Sequence, residues 1–283
     1  KLQYQARKNI IFLQHGVTAF KQCHKTYRKN CGNQMALFVV TSEPEQKIIE
    51  KYFGYDKEEV IVTGFSRWDV LEDRSDPAHK EILLMPTWRN WLEDISEEAF
   101  RKSEYYQRYE TLLQDERLRT ILERENITLN FYIHAKFRER LGNFYTEDRH
   151  IRLIPFGTVP LNQLLMSCHM LITDYSSVSW EVYYQGKPVV FYPFDLETYE
   201  KAHGSYVDYR KDVFGDLAWT EEELLDTIES YVKNNFQEKP EYAKRRDTLL
   251  PYRDHNNSKR IYEAIVRAHI PSKLKKRRKD INF

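Results

Sequence analysis

The feature that most constrains this chain is a repeating alternation. Short apolar runs, each ending in a turn signal, are separated by longer amphipathic segments. Residues 9–14 (NIIFLQ), 36–40 (ALFVV) and 60–63 (VIVT) read as buried strands, and residues 43–53 carry helical spacing between two of them. Ser42 and Pro44 supply that helix with a side-chain cap and a proline in the first turn. A second series follows. Strands are predicted over 82–85, 129–133, 151–154, 170–173 and 189–192. Helices are predicted over 103–124, 161–166, 178–185, 221–233 and 258–269, with a short one beyond Lys136. Strands that alternate with helices form parallel sheets, because a parallel return needs a crossover connection. The expected fold class is therefore α/β, with two doubly wound units facing a cleft.

The polar, proline-bearing stretch 74–79 reads as a linker. It sets a first domain over 1–75, a second over 76–270 and a tail over 271–283. The first domain holds about three strands against the roughly five or six of an ordinary sheet. The chain also opens on Lys1, directly before a strand-like segment. The first domain is expected to be incomplete on its N-terminal side.

Composition narrows the class further. Hydrophobic residues at 41% with charged residues at 31% exclude a disordered chain. No apolar run approaches the ~20 residues of a membrane-spanning helix. Cys23, Cys31 and Cys168 are odd in number and form no C-x-x-C pair, which argues against a disulfide framework or structural zinc. A formal charge of +1 favours no class of partner.

Ligands of open parallel sheets bind beyond the C-terminal ends of the strands, and the chemistry-bearing residues cluster there. The sharpest group is residues 172–182 (ITDYSSVSWEV), where a strand ends, Asp174 sits at its tip, and Ser176 and Ser177 open the next helix. Hydroxyls and free N–H groups at such a place form an anion site suited to a diphosphate. Gln14-His15-Gly16 puts an imidazole at another strand end, beside a small residue that permits close approach, with Lys21 soon after. His134, Lys136 and Arg138 make a local positive site after a third strand. Arg67 and Asp69 follow the strand that ends at Gly64: Arg67 has the reach for phosphate, and Asp69 equally suits a helix dipole. Thr87 and Arg89 follow Pro86. Asp195 closes the run FYPFD, and Lys187 reads as a turn residue.

Taken in order, residues 14–16, 64–69, 85–89, His134, 173–177 and 187–195 resemble the CDP-glycerol glycerophosphotransferase family of teichoic acid synthesis. That family carries a strand–His–Gly segment, Gly-x-x-Arg-x-Asp, Pro-Thr-Trp-Arg, a later His loop, and Thr-Asp-Tyr-Ser-Ser followed by Lys-Pro. The resemblance spans most of the chain to about residue 206. It implies two Rossmann-like domains of glycosyltransferase-B type, with the nucleotide held mainly by the second. It implies His15 as general base on an acceptor hydroxyl, with Gly16 and Lys21 on the acceptor side. His134 would lie near the donor diphosphate and aid departure of CMP, with Ser176 and Ser177 binding that diphosphate. Arg67, Asp69, Thr87, Arg89, Lys136, Arg138, Asp174 and Asp195 complete the expected donor set. The implied partners are a CDP-polyol donor, CDP-glycerol or CDP-ribitol, and a lipid-linked polymer acceptor. No metal or other cofactor is required, since no Asp-x-Asp pair is evident.

The tail crowds Lys273, Lys275, Lys276, Arg277, Arg278 and Lys279 into seven positions. Each such cation near an anionic lipid surface contributes on the order of 1 kcal/mol. The tail therefore predicts peripheral attachment at the cytoplasmic face of a membrane rather than nucleic-acid binding. Two rival readings remain open at this level. One is a nucleotide-sugar glycosyltransferase or epimerase of the same fold, for which Glu181 is the nearby ribose-binding candidate. The other is a non-catalytic scaffold.

Overall fold

The computed structural model describes residues 10–30 and 34–270. It divides into two compact units. The first comprises the described residues up to Leu71, with Ser205–Val207 and the chain from Lys244, and the second Glu72–Gly204 with Asp208–Ala243. Cys31 and the basic tail lie outside the described residues. Among the described residues no helix is long and apolar enough to cross a membrane.

The first unit is built on three parallel strands, β1 (Ile10–Phe12), β2 (Met35–Val40) and β3 (Val60–Val62), in the order β1-β2-β3. Phe38 and Val40 point from β2 into a core with Ile49, Phe53, Tyr55 and Val60. Helix α1 (Glu43–Ile48) starts where the sequence predicts, with the Ser42 hydroxyl accepting from Glu45 N at 3.5 Å and a proline in the first turn. It continues as a single π turn over Ile49–Phe53 and stops at Gly54, whose φ of +76° ends it in the left-handed region.

The second unit carries a six-stranded parallel sheet. Its strands are β4 (Lys80–Met85), β5 (Ile127–Tyr132), β6 (Ile151–Ile154), β7 (Met170–Thr173), β8 (Val189–Phe191) and β9 (Asp216–Leu217), in the order β6-β5-β4-β7-β8-β9. Numbered within the unit, that is 3-2-1-4-5-6, the doubly wound order. Alternate residues Ile82, Leu84, Leu129, Phe131, Met170 and Ile172 face one core. That core is closed by α2 (Glu104–Gln114), α3 (Glu116–Glu125) and, further along, α7 (Glu221–Lys233). Between them in the chain lie α4 (Leu161–Ser167), α5 (Ser179–Tyr184) and α6 (Leu196–His203). The single helix expected over 103–124 is two. Asp115 is extended (φ −68°, ψ 129°), and its carboxylate accepts from Leu118 N to cap α3.

The closing helix α8 (Asn257–Arg267) corrects the domain reading, which placed it with the second unit. Asp69 accepts from Asn257 N and Ser258 N, both at 2.8 Å, and so caps α8. Asn257, fully buried, donates to Phe65 O at 3.2 Å. Gly64 must be glycine for two reasons. Its φ is +76°, and a Cβ there would lie 2.4 Å from Asn257 Oδ1. That oxygen is also held at 2.9 Å by Arg260 Nη1, so it has little freedom to move aside. Left-handed backbone alone costs a side-chain-bearing residue about 1–2 kcal/mol. Gly64→Ala is therefore expected to lower the midpoint of thermal unfolding by several degrees. An unchanged midpoint would mean that α8 does not dock at the end of β3.

Candidate active site

Strands β4 and β7 are neighbours, but the chain leaves them in opposite directions, toward β5 and toward β8. The loops after their C-terminal ends therefore diverge and leave a crevice, the place where doubly wound sheets bind ligands. These loops are residues 86–89 and 174–177.

Their geometry is fixed from beneath by a buried ionic cluster. Arg89 is fully buried. Its Nε and Nη2 donate to the two oxygens of Asp195 at 2.7 and 2.8 Å, a fork-to-fork pair. Its Nη1 lies 2.8 Å from Asp174 Oδ2 and donates to Thr87 O at 2.6 Å. Asp174, also fully buried, accepts from Thr87 N at 2.8 Å and from Tyr175 N at 2.6 Å through Oδ1. Tyr109 OH reaches its Oδ2 at 3.3 Å, and Tyr209 OH donates to its backbone carbonyl. Tyr175 OH donates to Asp195 Oδ1 at 2.9 Å. The Tyr175 ring lies 4.8 Å from the Arg89 guanidinium and stacks on Tyr199 at 3.7 Å.

Burial by itself would lower the Arg89 pKa, but Asp174 and Asp195 outweigh it and hold the guanidinium well above its ordinary value. Burial, reinforced by Asp174, keeps the Tyr109 and Tyr209 hydroxyls well above theirs, so both remain protonated donors. Every member of the cluster has the partners that make a buried charge tolerable. This corrects the expectation that Arg89, Asp174 and Asp195 touch a donor: their polar atoms are spent on one another. They act by shaping the two loops.

Fewer polar groups of these loops are left outside the cluster. Thr87 is half-buried, but its hydroxyl oxygen is closed off from solvent and has no partner among the described residues. Ser176 and Ser177 are half-buried in the turn before α5. Their backbone N–H groups donate to no described acceptor, and the Ser176 hydroxyl makes only a 3.4 Å contact from Val178 N. Two free N–H groups beside two serine hydroxyls suit an anion.

His134 follows β5, the neighbour of β4, and caps a 3₁₀ turn: its Nδ1 accepts from Lys136 N at 3.1 Å. An Nδ1 that accepts leaves the proton of the neutral ring on Nε2, so the ring presents an N–H donor. The ring lies 6.0 Å from that of Trp88. Lys136 is drawn to Glu93 at 2.6 Å and lies 5.6 Å over Trp88, so its charge is partly answered within the protein. Arg138 is exposed. Lys187 is not a plain turn residue. It is buried, with Nζ 2.9 Å from Asp73 and 2.5 Å from Met166 O. Glu181, the ribose candidate, lies inside α5 and is only 7% exposed.

In the first unit, His15 is exposed just beyond β1, its ring edge-on to Phe12 at 5.7 Å. Gly16 follows it half-buried, and Lys21 is exposed as a residue, though protein packs around part of its side chain. Desolvation around the Lys21 ammonium lowers its pKa, with Cys23 pulling weakly the other way. Arg67 lies over the Phe65 ring at 4.4 Å and donates to Gln14 O at 3.4 Å. Asp69 is the cap of α8 described above, which corrects its place in the donor set: both carboxylate oxygens are engaged by backbone N–H groups.

Sequence reasoning missed Tyr109, Tyr199 and Tyr209. The only hint was the chain's 20 tyrosines. It also missed Glu45, which is 2% exposed in α1.

Over residues 2–267 the chain matches the family model described as CDP-Glycerol:Poly(glycerophosphate) glycerophosphotransferase. It is 32% identical over 267 residues to the minor teichoic acid biosynthesis protein GgaB of Bacillus subtilis (strain 168), covering 91% of this chain and 29% of that protein. It is 25% identical over 298 residues to the teichoic acid ribitol-phosphate polymerase TarK of Staphylococcus aureus (strain NCTC 8325 / PS 47), covering 94% and 54%. The chain thus spans about half or less of the length of these two relatives. Among solved structures, the wall teichoic acid polymerase TagF superposes with a TM-score of 0.67 at 18% identity, covering 95% of this chain and 69% of that one. The likeness carries the expected fold of two Rossmann-like units. With the family model matched across nearly its whole length, this chain belongs to the CDP-glycerol:poly(glycerophosphate) glycerophosphotransferase family.

Proposed function

We propose that the chain transfers a polyol phosphate, glycerol phosphate from CDP-glycerol, to a hydroxyl of a lipid-linked teichoic-acid-like polymer and releases CMP. The observation that carries this reading is the crevice between β4 and β7. There the Ser176 and Ser177 N–H and hydroxyl groups and the Nε2–H of His134 stand at the strand ends of one sheet, with the buried, unpartnered Thr87 hydroxyl beneath.

In the proposed reaction the acceptor hydroxyl oxygen attacks the β-phosphorus of the donor in line. A new O–P bond forms as the bond from β-phosphorus to the bridging oxygen breaks. CMP leaves with that oxygen and its electron pair. His15 takes the hydroxyl proton, and His134 with the 174–177 loop offsets the charge that grows on the diphosphate. The step is drawn with protein groups alone. Lys273, Lys275, Lys276, Arg277, Arg278 and Lys279 would hold the protein against anionic lipid at the cytoplasmic face, where such an acceptor is reached.

CDP-ribitol stands as the second donor because a ribitol-phosphate polymerase is among the relatives. The experiment is CMP release by the purified protein offered CDP-glycerol or CDP-ribitol, with and without a short glycerol phosphate lipid acceptor. Acceptor-dependent release from one donor supports the reading and names the polyol. No release from either CDP donor, with turnover of a nucleotide sugar offered in parallel, would overturn it. His134→Ala is expected to reduce kcat by about 10²-fold, the usual worth of one positioned donor to developing charge. An unchanged kcat would remove His134 from the donor site.

A further inference from the structure

The stretch between β1 and residue 24 has no regular secondary structure, yet its middle is buried: Val17, Thr18, Ala19 and Phe20 are all 8% exposed or less. A buried irregular backbone needs partners for its N–H and C=O groups. Two side chains from distant parts of the sequence supply them, with a short strand of chain beside one.

Glu45 is the first. Its Oε1 accepts from Thr18 N at 2.7 Å, while its Oε2 accepts from Thr41 N at 2.7 Å and from the Thr41 hydroxyl at 2.8 Å. The carboxylate therefore bolts the loop after β1 to the end of β2. Tyr206 is the second. Its hydroxyl accepts from Cys23 N and His24 N, both at 2.9 Å, and lies 3.0 Å from His24 Nδ1. The hydroxyl thus satisfies two backbone N–H groups at once and lies against the His24 ring besides. Alongside, Tyr206 N donates to Ala19 O at 2.9 Å and Ser205 Oγ to the same oxygen at 3.2 Å. Gln22 Nε2 donates to Ser205 O at 2.9 Å. Ser205–Val207 belongs to the first unit although the chain on both sides belongs to the second. Gly204, where it departs, has φ +66° and ψ 167°, a conformation open essentially to glycine.

The loop is held against its own preference. Gln14, one residue before His15, has φ +65° without being glycine. Such a residue costs about 1–3 kcal/mol and persists only where its surroundings over-determine it. Arg67 on Gln14 O and Gln14 Nε2 on Thr18 Oγ1 at 3.1 Å add to that determination.

We propose that Tyr206 and Glu45 are positioning residues for the transfer step, holding the loop that carries His15 and Lys21 in its working conformation. Neither touches substrate. The proposal rests on the reading of His15 as the base. A misplacement of about 1 Å at a reacting group can cost about 10²-fold. Tyr206→Phe keeps the ring and removes only the oxygen. It is expected to lower kcat for acceptor-dependent CMP release by about 10- to 100-fold, with the KM for CDP-glycerol within about twofold. Amide hydrogen exchange in the same variant should show lost protection at Cys23 and His24 but not on β2. Glu45→Gln, which keeps one carbonyl oxygen, should lose protection at Thr18 or Thr41 and show the same kcat-against-KM split.

Protection retained at Cys23 and His24 in Tyr206→Phe would overturn the proposal. So would lost protection with unchanged kcat, which would make the clamp a purely structural one. Wild-type transfer by His15→Ala would instead sink the reading of the base. An unaltered Tyr206→Phe beside an inactive His15→Ala would sink this inference alone. Absence of transfer by the wild type from either CDP donor would count against both.

Discussion

His15→Ala is expected to cut acceptor-dependent CMP release by about 10²–10⁴-fold, the range that a positioned general base contributes. The argument is one of placement. His15 is exposed at a strand tip, beyond a glutamine in a left-handed conformation, on a loop whose backbone is tied to Arg67, Glu45 and Tyr206. Those ties hold the backbone beneath the imidazole in one conformation, which is what a positioned base requires. The donor groups proposed above belong to the other unit, so the KM for CDP-glycerol should stay near that of the wild type. Loss confined to kcat marks an interaction made in the transition state. A raised KM with kcat intact would make His15 a binding residue, and the base would have to be sought elsewhere.

Arg89→Met is expected to destabilise the second unit by about 3–5 kcal/mol, because it leaves two buried carboxylates without their cation. For a unit of this size each kcal/mol shifts the unfolding midpoint by roughly 2–4 °C, so the total shift is on the order of 10 °C. Asp195 would lose both arms of its fork and retain only Tyr175 OH, while Asp174 would keep its two backbone donors. The double variant Arg89→Met with Asp195→Asn should recover part of the loss, since one of the stranded charges is gone. Arg89→Lys should recover less, because an ammonium cannot serve Asp195 and Asp174 as a planar fork does. Thermal unfolding followed by circular dichroism measures all three. A midpoint for Arg89→Met equal to that of the wild type would show that the cluster does not shape the crevice loops.

Much of the fold was legible because the signals are local. The run 170–173 is a strand in both reading and structure, and the helix predicted over 221–233 is α7, whose start carries a Thr220 capping box. Ser42 and Pro44 marked the start of α1 correctly. The failures were also local in origin. β9 is two residues long, too short for any periodicity to show. The break at Asp115 was hidden because apolar spacing continues through it, although an Asp before Glu-Arg-Leu is itself a capping signal.

The candidate site was legible only as a set of places. Thr87, His134, Ser176 and Ser177 sit at strand ends, as the turn and polar residues after each apolar run implied. What those residues do was decided elsewhere in the chain. Asp69, read as a donor contact or dipole partner, caps a helix 188 residues on. Cys23 and His24 find their hydroxyl in Tyr206, 183 and 182 residues away. Arg89 is a buried structural cation because Asp195, 106 residues later, enters beneath it.

By itself, then, the sequence determined the alternation of strands and helices, the turn residues between them and the chemistry offered at each strand tip. Backbone periodicity and capping act within a few residues, so a single window contains their cause. Only the tertiary structure decided the strand order 3-2-1-4-5-6, which polar side chains are consumed in the interior and which remain at the crevice. Those outcomes depend on which strands become neighbours and on the need of each buried charge and N–H group for a partner, a condition satisfied across the whole chain at once.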